Sequence, residues 1–563
     1  MEKRAILAIV LSLLVVAAWS IFFAPAPPSP PVPELTTSTP KPAGDAGTSQ
    51  APGVAGQSTS SRPDLPPAET ATASLPETVV TVHTGVSRIV LTSQGAGVKA
   101  VQLQEYHTTL AKGAPPIEIA PVPGAKTFPL TAELHLDQKI TSFGPVVFSL
   151  SQTELQLSAN QPEGSIAFRG QLGNGLTVHR VYRFSYGKYT FDVSTRLEGP
   201  SAPTAGSLVL LWGPGLLRHT DDADRQGQTA EHPRSYVNGK IVQEAPAKVG
   251  EKRLDQGQVT WTALGDTYFT AALLPQEPAG DAVLTRRLEG DVFEIGLRTP
   301  LSAERLMQTV RVYVGPKLQP LLESVEPSLG KVIDLGFFAP LARPMMQFLR
   351  WINGVVHNYG ITIILVTVLI KIAFWPLTQA SYKSMQAMQK LQPKLKELQV
   401  VYKDDRQGLN RAMMDMYREN RVNPMGGCLP MVLQIPVFFA FYNALLYAVE
   451  LRHTPFVCWE NEVWWVGRGI CDLSVYDPSY ITPALMGVSM FIQQKMTPMT
   501  TMDPTQAKIM QFMPLMFLVF FIKAPSGLVI YWLVNNILSI VQQMLINKKY
   551  ATGATPAETP SRG

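Results

Sequence analysis

The apolar positions of this 563-residue chain gather at its two ends, with a long polar region between them. After a short opening that is basic at Lys3 and Arg4, the stretch Ala5–Phe23 carries no charge. About 20 apolar residues in a helix suffice to span a bilayer, and basic residues ahead of such a span hold the N-terminus in the cytoplasm. The run continues through Phe23, and Pro25 spoils cleavage after Ala24. Residues 1–23 therefore read as an uncleaved transmembrane anchor, with a signal peptide cleaved near Ala18-Trp19-Ser20 as the other reading. Five further apolar stretches follow residue 350. Val355–Pro376 has only His357 and Lys371 as basic groups, and Cys428–Val449, Tyr480–Gln494, Ile509–Ile522 and Ala524–Asn547 carry no charge. Six spans are predicted. Tyr480–Gln494 and Ile509–Ile522 fall below the roughly 17 residues a span needs, so they borrow flanking residues or the bilayer thins beside them.

The polar region has its own order. Residues 24–78, rich in Pro, Ala, Ser and Thr, cannot bury a core and read as a disordered tether. Residues 79–317 are strand-like. Tyr189, Phe191, Val193 and Leu197 share one face at period two, and Ser185-Tyr186-Gly187-Lys188 ahead of them is a hairpin turn. Ser207–Trp212, Val259–Leu274, Asp281–Arg298 and Gln308–Val314 read as further strands. The pattern predicts an antiparallel β-sandwich. Residues 318–354 then form a linker and an amphipathic helix. Its apolar stripe is Phe337, Phe338, Leu341, Met345, Phe348, Leu349 and Ile352, with Arg343 and Arg350 off it. Pro340 and Pro344 are expected to break it into short pieces. Lying just before a span, it reads as an interfacial helix. Residues 355–550 make a five-span core, interrupted by the segment 377–427, and 551–563 form a short, weakly charged tail.

Loop charges orient the spans. Leu377–Gly427 holds Lys383, Lys390, Lys394, Lys396, Lys403, Arg406, Arg411, Arg418 and Arg421, which assigns it to the cytoplasm. Glu450–Ser479 holds five acids against Arg452 and Arg468 and falls outside. Lys495 and Lys508 return the next turn inside, Pro525-Ser526-Gly527 makes an outer turn, and Lys548 and Lys549 bring the C-terminus inside. The β-sandwich is thereby placed on the outer, periplasmic side.

Composition changes this picture little. A net charge of +5 excludes a strong polyanion binder. The three cysteines, Cys428, Cys458 and Cys471, offer no metal-binding spacing, and none lies early enough for a lipoprotein N-terminus. Cys458 and Cys471 share the outer loop, where an oxidising compartment permits a disulfide. No catalytic motif stands out and no cofactor is implied. Aromatic and acidic side chains of the sandwich could line a sugar groove, but core and solvated face account for them equally.

Lys371 is the most informative position. A cation inside a span usually faces protein or a water-filled cavity, although a lysine near a span's end can also snorkel to the interface. Thr367 lies one turn earlier on the same face. Gln434 lies in the third span, and Tyr531, Asn535 and Ser539 recur at i, i+4, i+8 in the last. Polar groups on three spans are satisfied by meeting around water or by bonding helix to helix. The cytoplasmic segment reads as two helices, Gln379–Val401 and Asp405–Asn420. It is dense in Met385, Met388, Met413, Met414 and Met416, a soft side chain suited to varied apolar partners but equally to packing the hairpin on itself. Its basic residues suit anionic lipid or ribosomal RNA.

Val422-Asn423-Pro424-Met425-Gly426-Gly427-Cys428-Leu429-Pro430 followed by Gln434-Ile435-Pro436-Val437-Phe438 resembles the start of the third span in the YidC/Oxa/Alb family. So do Asp503-Pro504 with Lys508-Ile509-Met510, and Pro525-Ser526-Gly527-Leu528-Val529-Ile530-Tyr531-Trp532. The similarity covers residues 330–550, and residues 24–330 resemble the periplasmic domain of Gram-negative members. The resemblance implies five core spans around a hydrophilic groove open to cytoplasm and lipid. It also implies a galactose-mutarotase-like sandwich without established sugar chemistry, and insertion of nascent membrane proteins into the bacterial inner membrane, alone or with the Sec translocon and its accessory subunits. The family's groove cation matches Lys371, where many relatives have Arg; a lysine lacks the planar fork for bidentate carboxylate capture. Tyr531-Trp532 stands where relatives often have two tyrosines. The short tail argues for only weak ribosome contact, through cytoplasmic loops. A secondary transporter would show internal repeats and paired intramembrane ionisable groups, and neither is clear here. A membrane-anchored carbohydrate-binding module is the third reading, tested by sugar binding to residues 79–317.

Overall fold

The computed structural model of the chain describes residues 76–120, 127–136, 139–172, 175–200, 202–216, 232–243, 252–288, 292–403, 405–422, 429–463, 467–496 and 504–551. The expected anchor, nearly all of the tether, residues 423–428 including Cys428, and the tail beyond residue 551 lie outside these.

Among the described residues, strands run from Val79 to Pro316 in a five-stranded and a fourteen-stranded sheet. The predicted hairpin forms between Thr177–Ser185 and Thr190–Glu198. Its turn places Gly187 at φ 68°, a left-handed conformation that glycine adopts without strain. Tyr189, Phe191, Val193 and Leu197 all point into the core. Two expected strands are in fact hairpins. Val259–Leu274 divides into Lys252–Gly265 and Phe269–Glu277. The Asp266 carboxylate accepts from the backbone N–H of Tyr268 at 2.8 Å and of Phe269 at 2.7 Å, closing the turn. Asp281–Arg298 divides into Gly280–Arg287 and Phe293–Ser302. Apolar residues continue on both sides of each turn, which hides it from a periodicity reading. The sandwich is also not wholly antiparallel, because Val79–His83 pairs in parallel with Glu154–Gln156.

One buried cation ties the sheets together. Arg180, fully buried, donates from Nη1 to the carbonyl of Leu130 at 2.6 Å and of Ala96 at 3.3 Å, and from Nε to Thr195 Oγ1 at 3.1 Å. Ala96 and Leu130 hold φ of 47° and 63°. Such residues persist only where surroundings over-determine them, and this guanidinium fork supplies part of that constraint.

The helices follow in order: α1 (Gln319–Val325), α2 (Ala339–Val356), α3 (Tyr359–Ala373), α4 (Trp375–Lys390), α5 (Gln392–Val401), α6 (Arg406–Glu419), α7 (Leu429–Leu446), α8 (Ile481–Met496), α9 (Pro504–Phe521) and α10 (Ser526–Ala551). The expectation that Pro340 and Pro344 break the amphipathic helix is corrected. Pro340 sits in the first turn of α2, where its missing N–H costs nothing, and the helix runs through Pro344. Its stripe splits into two faces. Ala342, Met346, Leu349 and Ile352 are buried, whereas Phe337 is 82% and Trp351 68% exposed, with Leu341, Phe348 and Val355 also exposed. The first helix of the cytoplasmic segment is corrected as well. It begins at Trp375, bent 60° from α3, and breaks at Leu391 ahead of Pro393.

One apolar core runs from the sandwich into the helices. Val82, Leu91, Phe168, Tyr182 and Trp212 belong to the same cluster as Leu322, Leu329, Ile333 and Leu335 of the linker, Met346 of α2, and Ala440 and Ala444 of α7. Asn443 Nδ2 donates to the Leu335 carbonyl at 2.9 Å, and Arg452 Nη1 to the His107 carbonyl at 2.8 Å. Among the described residues, α10 alone is long and apolar enough to cross a membrane. The bent pair α3 and α4 qualifies together, and Gln434–Leu446 and Phe512–Phe521 are shorter apolar helices.

Candidate functional site

Polar side chains from three helices converge on α10. At 3.6 residues per turn, Tyr531, Asn535 and Ser539 lie within about 80° of one another on one face. Lys371 Nζ, near the end of α3, donates to Ser539 Oγ at 2.7 Å, and Ser539 Oγ donates to the Asn535 carbonyl at 2.7 Å. Gln434 Nε2 on α7 donates to the Tyr531 hydroxyl at 3.1 Å. Sequence reading found no acid to partner Lys371; the partner is a hydroxyl. Thr367 contributes differently from the reading that placed it beside Lys371 on a polar face. It is buried, and its Oγ1 donates to the Ile363 carbonyl at 2.7 Å, so it is satisfied within its own helix. The next residue, Asn536, bonds Ser489 of α8 at 3.1 Å and joins helix to helix.

Aromatic rings flank this stripe. The Tyr531 ring lies 4.5 Å from Phe441, tilted 36° to it, and Trp532 lies 4.6 Å from Phe438 and 5.4 Å from Phe517. These belong to a second apolar cluster that occupies one end of the helices. It contains Ile363 and Val366 of α3, Phe441 and Leu445 of α7, Met486 of α8, Phe521 of α9, and Leu528, Val529 and Ile530 of α10. All sit at the end joined by the loops 447–480 and 522–525. Lys371, Asn535 and Ser539 lie toward the other end, just past Ile370 and Val534 at the margin of that cluster.

The loops at the packed end are bonded to the helices. Cys458 and Cys471 form a disulfide across the strands Val457–Val463 and Gly467–Ile470. Ser526 Oγ donates to the Asp472 carbonyl at 3.0 Å, Ser526 N to Val475 at 2.7 Å and Gly527 N to Leu473 at 3.0 Å. Arg350 of α2 pairs with Glu450 at 3.4 Å and donates to Gln319 of α1 at 3.2 Å. Burial pushes the Glu450 carboxyl above the usual carboxylate range, against the pull of Arg350.

At the other end, the hairpin of α4 to α6 divides the five methionines. Met388 and Met416 are buried, Met416 with Leu391, Leu395 and Tyr417, and Met413 packs beside that cluster. Their reading as an exposed contact surface is therefore corrected to packing. Met385 is half-buried and Met414 is exposed. Val400 and Val401, 77% and 74% exposed at the end of α5, were not singled out, because two adjacent valines in a charged helix give no periodic signal. No group of three or more potential metal ligands occurs among the described residues.

The family model described as YidC periplasmic domain matches residues 79–348, and that described as 60Kd inner membrane protein matches residues 351–553. A curated relative from Syntrophus aciditrophicus (strain SB), named membrane protein insertase YidC, is 37% identical over 561 residues, covering 98% of this chain and 100% of its own. A solved active YidC insertase, with its first transmembrane domain resolved, is similar with TM-score 0.32 and 16% identity over 83% of this chain and 94% of that one. A galactose mutarotase-like protein from Lactobacillus casei ATCC 334 matches with TM-score 0.27 and 11% identity over 42% of this chain and 99% of that one.

Proposed function

The chain belongs to the YidC family of membrane protein insertases, and on that premise we propose how its residues carry a client into the bilayer. It is an insertase of a bacterial inner membrane and not an enzyme, and its clients are nascent membrane proteins. The route is our reading. Six spans cross the membrane with both termini cytoplasmic, and the sandwich, of galactose-mutarotase-like kind and without sugar chemistry, lies in the periplasm as a platform. Exposed apolar side chains of the cytoplasmic hairpin, Met414 and the half-buried Met385 among them, meet the emerging segment. Its polar flank enters a groove lined by Lys371, Gln434 and Asn535 and floored by Tyr531 and Trp532, the buried edge of the aromatic cluster, while its apolar part slides between α7 and α10 into lipid. Thr367 supports the groove wall from behind. Burial of the client's apolar surface, worth roughly 25 cal/mol per Å², drives the step. The Sec translocon with its accessory subunits and, through the basic cytoplasmic loops, the ribosome are partners.

The observation that carries this reading is the packing asymmetry of the helices. Their aromatic core fills one end, and the bond between Lys371 and Ser539 lies at the other. Polar groups at that end shorten the apolar path that a hydrophilic segment must cross, and the Lys371 ammonium there attracts acidic flanks as a point charge.

The test is depletion of this protein in its host, followed by protease mapping of a two-span client with a short acidic translocated region. That region is expected to stay cytoplasmic on depletion and to cross on re-expression. A Lys371→Glu variant should restore crossing at least tenfold less efficiently, the factor set by about 1.4 kcal/mol. Crossing at the wild-type level with Lys371→Glu would sink the groove role of this residue.

A further inference from the structure

Helix α10 carries a polar residue that the route above leaves without a task. Gln542 is 2% exposed, and its Nε2 has no hydrogen-bond partner among the described residues. A buried amide donor without an acceptor is unfavourable, because the desolvation cost of the group is not offset. By helical geometry Gln542 falls about 20° from Tyr531 and about 20° from Asn535, inside the stripe rather than beside it. It lies three residues past Ser539, roughly one turn nearer the cytoplasmic end. Three other groups of the stripe bond one another: Gln434 to Tyr531, Lys371 to Ser539, and Ser539 to the Asn535 backbone carbonyl. The neighbouring Gln543 donates to the Met496 carbonyl in α8 and so belongs to a helix contact. At the far end of the stripe, the buried Trp532 Nε1 also lacks a partner. These two unpartnered groups are N–H donors, while the Gln543 Oε1 acceptor beside Gln542 is also buried without a partner.

We propose that Gln542 is a client-contact residue of the insertase, a donor that engages an acceptor carried by the entering segment before that segment reaches Lys371. The acceptor is a backbone carbonyl of a stretch not yet helical, or the carboxylate of an acidic side chain. Extended and acidic segments satisfy the donor; an apolar segment that is already helical, with its carbonyls bonded internally, does not. Gln542 thereby selects for polar flanks without adding charge. The inference rests on the insertase reading, in which the flank passes along this face of α10.

The test uses the full-length protein reconstituted in vesicles of phosphatidylethanolamine and phosphatidylglycerol. Two clients are compared: one whose translocated region is short and acidic, and one that inserts a single apolar helix with no translocated polar region. Gln542→Leu keeps the volume and removes the donor. It is expected to slow insertion of the acidic client about fivefold to tenfold and that of the apolar client less than twofold, a split that a packing role would not produce. Equal rates for variant and wild type overturn the proposal. So does equal slowing of both clients, which would assign the amide to packing or to a lipid carbonyl. Should Gln542→Leu fail to fold, Gln542→Cys in a chain carrying Cys428→Ala is expected to form a mixed disulfide with a cysteine in the acidic flank of a stalled client. A folded Gln542→Cys protein that forms no such bond overturns the proposal. If the wild-type vesicles insert neither client, the insertase reading itself fails and this inference with it; if they insert both and the variant does too, this inference alone falls.

Discussion

Lys317 shows how far a single charged residue departs from what its sequence position suggests. It stands at the end of the last strand, where a lysine reads as solvated. Yet it is buried, its amine donates to the Asp266 carbonyl, and burial pushes its pKa down to about 8, with Asp266 opposing the shift. The unfolded chain keeps this proton up to about 10.5. Between about 8 and 10.5 unfolding therefore takes up a proton at Lys317, and its contribution to stability rises with pH across that window. Below 8 the full penalty is present. Between pH 8 and 10.5 Lys317 is expected to raise the thermal midpoint of the full-length protein in detergent relative to Lys317→Met, while the buried tyrosines Tyr106, Tyr182, Tyr189 and Tyr313, pushed up by burial, act the other way from about pH 10. A difference between the two proteins that stays constant across this window would contradict the assignment. Lys371 could be found from sequence because a charge in an apolar run violates its surroundings. Arg180 was passed over although alternation sets it on the inward face with Val178, Tyr182 and Phe184; Gln542 could not be found, because an amide near a helix end reads as interface. Burial of such an amide is decided by tertiary neighbours that no local pattern contains.

Among the elements, the Thr177–Glu198 hairpin was legible because it has a clean period and a turn signal, and α10 because its apolar run is long, whereas the other expected spans are met by shorter or bent helices among the described residues. The strands that proved to be hairpins were missed: Asp266 sits in an apolar surrounding, and the Glu289-Gly290-Asp291 signal between the other two strands was passed over. Proline misled in one direction: Pro344 lies inside a helix that tertiary packing of Ala342, Met346 and Leu349 sustains. The paired outer strands Val457–Val463 and Gly467–Ile470 rest on the disulfide, which joins cysteines 13 residues apart. A cross-link over such a loop contributes about 3 kcal/mol in the chain-entropy picture. Denatured protein is expected to take up one maleimide without reductant and three after reduction, since the chain has three cysteines. Three without reductant would show the bond absent. Cys471→Ser should render residues 457–471 sensitive to protease added from the outer side.

At the scale of the molecule, the linker between sandwich and helices is part of the core rather than a hinge. Leu322, Leu329, Val332, Ile333 and Leu335 are all buried in it. Protease added from the outer side is expected to leave residues 318–339 intact, and ready cleavage there would mean that the sandwich moves independently. Sequence reading assigned this region to a linker and a surface helix, because the partner that buries it, α7, lies about one hundred residues further on. The loop segment 472–475, bonded to the start of α10, has a consequence for the energetics of the whole membrane. An inner membrane stores a proton gradient, and a passage wet from side to side would discharge it. On the proposed route, the end of the helices filled by aromatic packing and tied down by backbone bonds faces outward, and the proposed recess admits a client from within while current does not flow. In that reading the insertase is a dent in the insulator and not a hole through it.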